Sequence, residues 1–266
     1  MQSKNTQAVQ AKYKSQIEDA KMKQIKRRIR VRLTLVEDAL GMSPADPAIV
    51  SEYIASKAPD ARSMEEEIAA IGTEEVEKKG MTIFPKLNAE DEKAGIGSAG
   101  TPFVYDYQIK GGFKDKCGML ARVGKTGAND DEKATSKNAP TISGRLSAYK
   151  AKINSLVFIM ERKIPITMPE GQTFGNLQRP LRAETAQGPR VALANSETVP
   201  AGSTLKFTVG LIDPAMYDAV VEWLEYGIFS GLGQWRNAGW GAYVVDIVAD
   251  VDEVGRPYMK RKRGAK

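Results

Sequence analysis

The stretch IRVRLTLVED at residues 29–38 sets Ile29, Val31, Leu33 and Leu35 against Arg30, Arg32 and Thr34 with a period of two. Successive side chains of a strand point to opposite faces, so this run is a strand with one face committed to a core and the other left polar. Such a strand cannot bury its apolar face alone. It needs a sheet beside it and a layer of helices or a second sheet above it. STLKFTVGLI, residues 203–212, repeats the pattern with Leu205, Phe207, Val209 and Leu211 on one face. The polar face of the first strand carries Arg30 and Arg32, which read either as an ordinary solvated surface or as contacts to a polyanion.

The second strand is followed at once by Asp213 and Pro214, an N-cap and a first-turn proline. Met216, Ala219, Val220, Trp223 and Leu224 then recur at helical spacing, which assigns Trp223 to the core. AYVVDIV, residues 242–248, returns as a strand with Tyr243, Val245 and Ile247 in register. Upstream, PFVYDYQIKGGFKDKCGMLARV, residues 102–123, starts as a short strand and becomes a helix, with Gly111 and Gly112 read at the junction. A helix start there, beside Lys110, offers free N–H groups and a favourable dipole to an anion. Close packing of helix on strand accounts for the same glycines.

Between these units the text changes character. Residues 41–80 read as an inserted helical segment, with Ser63 and Glu66 at capping-box spacing, residues 86–101 as a polar loop, and 124–144 as a flexible stretch. The GKT inside that stretch fails as a phosphate loop, because the first glycine of the motif would fall on Met119 and no strand precedes it. GRLSAYKAKINSLVFIMERKIPITMP, residues 144–169, gives a basic helix and a strand, with Arg145, Lys150 and Lys152 displayed. Within 165–200, Arg179, Arg182 and Arg190 lie among Gly and Pro, as in an extended hairpin or projecting loop.

With 266 residues and 42% hydrophobic content, the chain can bury a core. The formal charge is +6, and the basic residues gather at the ends, in KMKQIKRRIRVR (21–32) and MKRKRGAK (259–266). This frames residues 1–27 as a basic N-terminal extension and 251–266 as a basic tail, and it favours polyanionic partners. Histidine is absent, which excludes serine–histidine triads, histidine-based ribonuclease chemistry and typical zinc sites. No cofactor or metal is expected. The single Cys117 excludes an intramolecular disulfide and fits a reducing cytoplasm. No apolar run approaches a membrane span and no signal peptide is read at the N-terminus, so a cytoplasmic protein without a membrane partner is expected.

GLGQWRNAGWGAYVV, residues 231–245, concentrates Gly231, Gly233, Gly239 and Gly241 around Trp235, Arg236 and Trp240. Glycines in this density mean either that the backbone approaches a partner closely or that the turn is merely tight. The tryptophans either stack on exposed bases or anchor the loop to its own core or to a neighbouring copy.

Three pieces in this order carry a resemblance: Ile109, Lys110, Gly111 and Phe113 at a strand–helix unit; Glu197, Pro200, Ala201 and Gly202 entering a late strand; and Gly231, Gly233, Gly239 and Gly241 before the last strand. Together they resemble the RAMP superfamily, in particular the repeated backbone subunit of CRISPR effector complexes, over somewhat more than half of the chain. The Pro-Gly-Ser that usually precedes the Lys-Gly turn is missing, and the insert at 41–80 has no counterpart. The resemblance implies an α+β fold with a ferredoxin-like or RRM-like split β-α-β core, a helical insertion and a projecting hairpin or loop, all within 28–250. It implies a protein of antiviral defence that holds a guide RNA by its sugar–phosphate backbone, stacks head-to-tail with copies of itself and meets other effector subunits. No catalysis of its own is expected. The RNA contacts assigned are Arg30, Arg32, Lys110, Gly111, Gly112, Lys114, Arg179, Arg182, Arg190, Gly231, Gly233, Trp235, Arg236 and Gly239. Cations and backbone amides of this kind are what phosphate contacts require. Two other readings stay open. One is a stand-alone RAMP-like single-strand-binding or structural protein of a phage or mobile element. The other is a metal-assisted endoribonuclease acting through a loop aspartate, for which Asp38 and Asp46 lie in the right region.

Overall fold

The structure, a computed structural model, describes residues 22–44, 81–123, 139–185 and 188–258, with a few isolated positions before them and the backbone alone at 180–194. In chain order the elements are β1 (Arg27–Leu35), β2 (Ala39–Leu40), β3 (Ser43–Pro44), β4 (Met81–Ile83), α1 (Ala89–Lys93), β5 (Phe103–Tyr105) and α2 (Asp106–Leu120). There follow α3 (Ile142–Arg145), α4 (Tyr149–Leu156), β6 (Val157–Ile159), β7 (Lys163–Thr167), β8 (Gly175–Thr185), β9 (Gly188–Val199), β10 (Thr204–Leu211), α5 (Tyr217–Glu225) and β11 (Tyr243–Asp252).

The main sheet runs β11-β1-β10-β7-β5, with β6 also on β10, and its pairings are antiparallel. A smaller sheet runs β2-β9-β4-β3 with β8 on β9, and only β4 and β9 are parallel. The fold is therefore α+β. The period of two in β1 is realised: Ile29, Val31, Leu33 and Leu35 are at most 1% exposed. They share a core with Ile109 and Phe113 of α2 and with Val220, Trp223 and Leu224 of α5. Burying each such aliphatic side chain is worth about 1.5–3 kcal/mol, so a one-residue slip, which would turn the arginines inward, is strongly disfavoured. Asp213 Oδ1 accepts the Ala215 N–H at 2.9 Å, and Pro214 opens the 3-10 turn that leads into α5. Trp223 is fully buried, and its Nε1–H donates to Ser143 Oγ at 2.9 Å.

Some expectations change. The polar stretch 86–101 contains α1, closed by a box in which Asn88 Oδ1 accepts from the Glu90 and Asp91 amides and Asp91 Oδ2 accepts from the Asn88 amide. The same Asp91 pairs with buried Lys163 at 2.8 Å, which ties the loop to the sheet. α2 begins at Asp106, where the Gln108 side chain accepts the Tyr105 N–H at 2.8 Å. Gly111 and Gly112 thus lie inside the helix and not at its start. The Arg-bearing segment forms the β8–β9 hairpin, whose residues 188–194 pair only with β8 among the described residues. The C-terminal end turns back: the Tyr258 amide donates to Asp250 O at 2.9 Å, and the Arg27 guanidinium lies between the Tyr217 and Tyr258 rings. Most of the basic extension 1–27, the insertion from residue 45 onward and the tail 259–266 lie outside the described residues. Among the described residues no helix is long and apolar enough to cross a membrane.

Candidate nucleic-acid interface

The glycine-rich loop closes on its own chain. A Cβ at Gly231 would stand 2.3 Å from Trp240 O, and one at Gly241, whose φ is +65°, would stand 1.9 Å from Leu232 O. Gly233, at φ +95°, brings the loop against β2, with Leu40 O 2.5 Å from where its Cβ would be. The amides are likewise spent internally: Leu232 donates to Gly241 O and Gly241 to Asp38 O, each at 2.8 Å. Gly231 and Gly233 are buried. This corrects the expectation that they offer open amides to a phosphate, because the backbone they approach is the protein's own. Gly239 differs: it is exposed at φ +93°, and a Cβ there would meet nothing within 4 Å.

Asp38 braces two segments of the chain. Its Oδ1 accepts the Ala201 N–H at 2.8 Å while its carbonyl accepts from Gly241, so one residue ties the Pro-Ala-Gly turn to the loop. Asp46 lies outside the described residues. Among the described residues no three or more His, Cys, Asp or Glu side chains gather in a way that could hold a metal ion.

Within the closed loop, Trp235 is half-buried. It has φ 49°, the left-handed region, which costs a non-glycine residue free energy and persists only where the surroundings over-determine it. The exposed Arg179, from the base of the β8–β9 hairpin, places its guanidinium 4.9 Å from the Trp235 ring centroid. Next to Trp235, Arg236 pairs with Asp115 of α2. Beneath them Lys116 is 2% exposed, and its Nζ donates to Gly231 O at 3.4 Å. Burial, reinforced by the Arg236 charge and opposed by Asp115, pulls the Lys116 ammonium down to a pKa of about 8. The cavity between α2 and the loop is about 20 Å³, the scale of a single water and far too small for a base. A strand bound here lies on the surface.

Lys110, Arg30 and Arg32 do not join this cluster. Lys110 donates to Asn154 O at 3.0 Å and lies 4.6 Å over Phe158, on the α4 side of α2. With Gly111 and Gly112 inside the helix, the anion site expected at a helix start beside Lys110 does not form. Lys114 has no ion pair among the described residues. Arg30 and Arg32 sit on the face of the sheet turned away from the helices. On the hairpin, Arg190 stands opposite Ala183 and Arg182 opposite Val191. With a period of two, position 190 shares a ribbon face with 179 and position 182 lies on the other. Lys116 escaped sequence reasoning, although a signal existed: it interrupts the stripe of Ile109, Phe113, Cys117 and Leu120 on the buried side of α2.

No family model matches the chain, and no curated protein does. Solved structures that resemble it include a chain of the type III-B Cmr-beta complex bound to cognate target RNA, at 11% identity and TM-score 0.49, covering 91% of this chain and 66% of that one. Cmr6 from Pyrococcus furiosus resembles it at 12% identity and TM-score 0.44, covering 82% of this chain and 97% of that one. A chain of a type IV-B CRISPR complex does so at 13% identity and TM-score 0.38, covering 88% of this chain and 94% of that one. The chain spans just under two thirds of the first of these. Likeness at this level is one of outline, and the functional reading rests on the site's own geometry.

Proposed function

We propose that this chain is a RAMP-like nucleic-acid-binding subunit that holds a single RNA strand by its sugar–phosphate backbone, without catalysis of its own. Its partners in this reading are RNA, copies of the same chain stacked head-to-tail, and other subunits of a cytoplasmic effector complex. The observation that carries the reading is the exposed Arg179 guanidinium over the ring of Trp235, whose backbone lies in the left-handed region, with Arg236 beside it. An arginine and an indole together offer what a strand supplies, a phosphate and a base face, without asking for a particular sequence. The order of the main sheet supports a ferredoxin-like core within 28–250: β1 and β10 lie at the centre, β11 at one edge and β7 beyond β10, with α2 and α5 packed on one face. The commitment of Asp38 to the Ala201 amide supports a binding role over strand cleavage.

The test is fluorescence anisotropy of a labelled uridine oligonucleotide with the full-length chain. Stacking on an aromatic is worth about 1–3 kcal/mol per base, so Trp235→Ala lowers affinity roughly 5- to 100-fold, and Arg179→Glu lowers it further. Affinities unchanged in both variants overturn the reading.

A further inference from the structure

The sheet face turned away from the helices holds a second, separate set of cations. Arg30 and Lys206 are exposed and make no ion pair among the described residues. Arg30 stands opposite Thr208 on β10, Arg32 opposite Lys206, and Thr34 opposite Thr204. Directly opposed residues share a face, so Arg32 and Lys206 confront each other across neighbouring strands, an arrangement of like charges that destabilises a sheet. On the other side of β1, Arg32 pairs with Asp246 at 2.8 Å, which offsets one charge of the three. Nothing in the folding of the sheet requires this excess. An incoming polyanion relieves it.

We propose that this open face is a second nucleic-acid surface, independent of the loop, which takes the phosphodiester backbone of a strand through Arg30, Arg32 and Lys206. The threonine hydroxyls of Thr34, Thr204 and Thr208 lie on the same face as further donors. β1, β10 and β11 put no aromatic side chain on it, and the half-exposed Phe158 of β6, opposite Gly210, stands at its edge beyond β10. The loop cannot share this strand's contacts, because Leu33, Phe207 and Tyr243, which line the cavity under the loop, point to the opposite side of the sheet.

The test uses the full-length chain and the same uridine oligonucleotide across a salt series, with Arg30→Glu/Lys206→Glu made alone and in an Arg179→Glu/Trp235→Ala background. Each phosphate contact to a single strand contributes about 0.7 to the slope of log affinity against log salt. Loss of two contacts therefore reduces the slope by about 1.4 in both backgrounds, with thermal unfolding unchanged. Should the charge reversals unfold the protein, Arg30→Gln/Lys206→Gln is expected to show the same reduction in slope. An unchanged slope and affinity overturn the proposal. So does retained RNA binding with lost self-association, which would make the face a protein interface. If Arg179→Glu/Trp235→Ala binds like the unsubstituted chain while Arg30→Glu/Lys206→Glu does not, the loop reading fails and the sheet reading stands.

Discussion

The glycine-rich loop and the open sheet face make opposite use of their residues. The loop has the unusual composition, yet three of its glycines serve contacts of the chain with itself: Gly231 against Trp240, Gly233 against Leu40 and Gly241 against Leu232. Even Arg236 is neutralised, by Asp115. The sheet face has a plain alternating sequence, yet it keeps Arg30 and Lys206 without an anion among the described residues. Glycine density marks where backbone meets backbone. Capacity for a polyanion follows instead from which cations the fold leaves uncompensated. Trp235 is the exception on which the proposed RNA contact rests: it holds a left-handed backbone conformation under Arg179.

The comparison is broken most readily at the glycines themselves. Gly241→Ala forces a Cβ to within 1.9 Å of a carbonyl oxygen at a positive φ, and a loss of roughly 4 kcal/mol or outright unfolding is expected by denaturant titration. Gly239→Ala meets open space and loses only the left-handed allowance, about 1–2 kcal/mol, with RNA binding retained. Equal losses at the two positions would mean that the loop is not a self-packed unit.

A smaller effect sharpens the picture beneath the loop. Lys116 has its pKa lowered from 10.5 to about 8, so between those values the unfolded chain binds more protons than the folded one. Stability contributed by this group therefore rises with pH across that window, and the full cost of burying the charge, about 3 kcal/mol at most, is present below it. Lys116→Met is expected to remove that rise and to be more stable at neutral pH, less what is lost with the bond to Gly231 O. Denaturant midpoints at pH 7 and pH 10 check this, and identical pH dependence in the two proteins would contradict it.

Much of the fold was legible from period alone. β1, β10, α5 and β11 follow from alternation, from Asp213 and Pro214, and from the helical spacing that ends in Trp223. The Asn88–Asp91 box was missed because its polar residues read as loop, although they close a short helix and feed the Asp91–Lys163 pair. The start of α2 was misplaced because Gly111 and Gly112 resemble punctuation. Their neighbours Ile109, Phe113 and Cys117 pack into the core strongly enough to carry the helix through them. At the site, the residue types were visible but their grouping was not. Arg179 and Trp235 are far apart in sequence and meet only through the smaller sheet, where Leu40 bridges to Gly233 and β9 to β2.

The central claim, that a nucleic-acid strand lies across Arg179 and Trp235, is tested most directly by ultraviolet cross-linking of uridine RNA to the full-length chain with peptide mapping by mass spectrometry. The account predicts adducts on Trp235 and on the peptide around Arg179. Cross-links confined to other peptides, with none from 175–179 or 231–241, would contradict it.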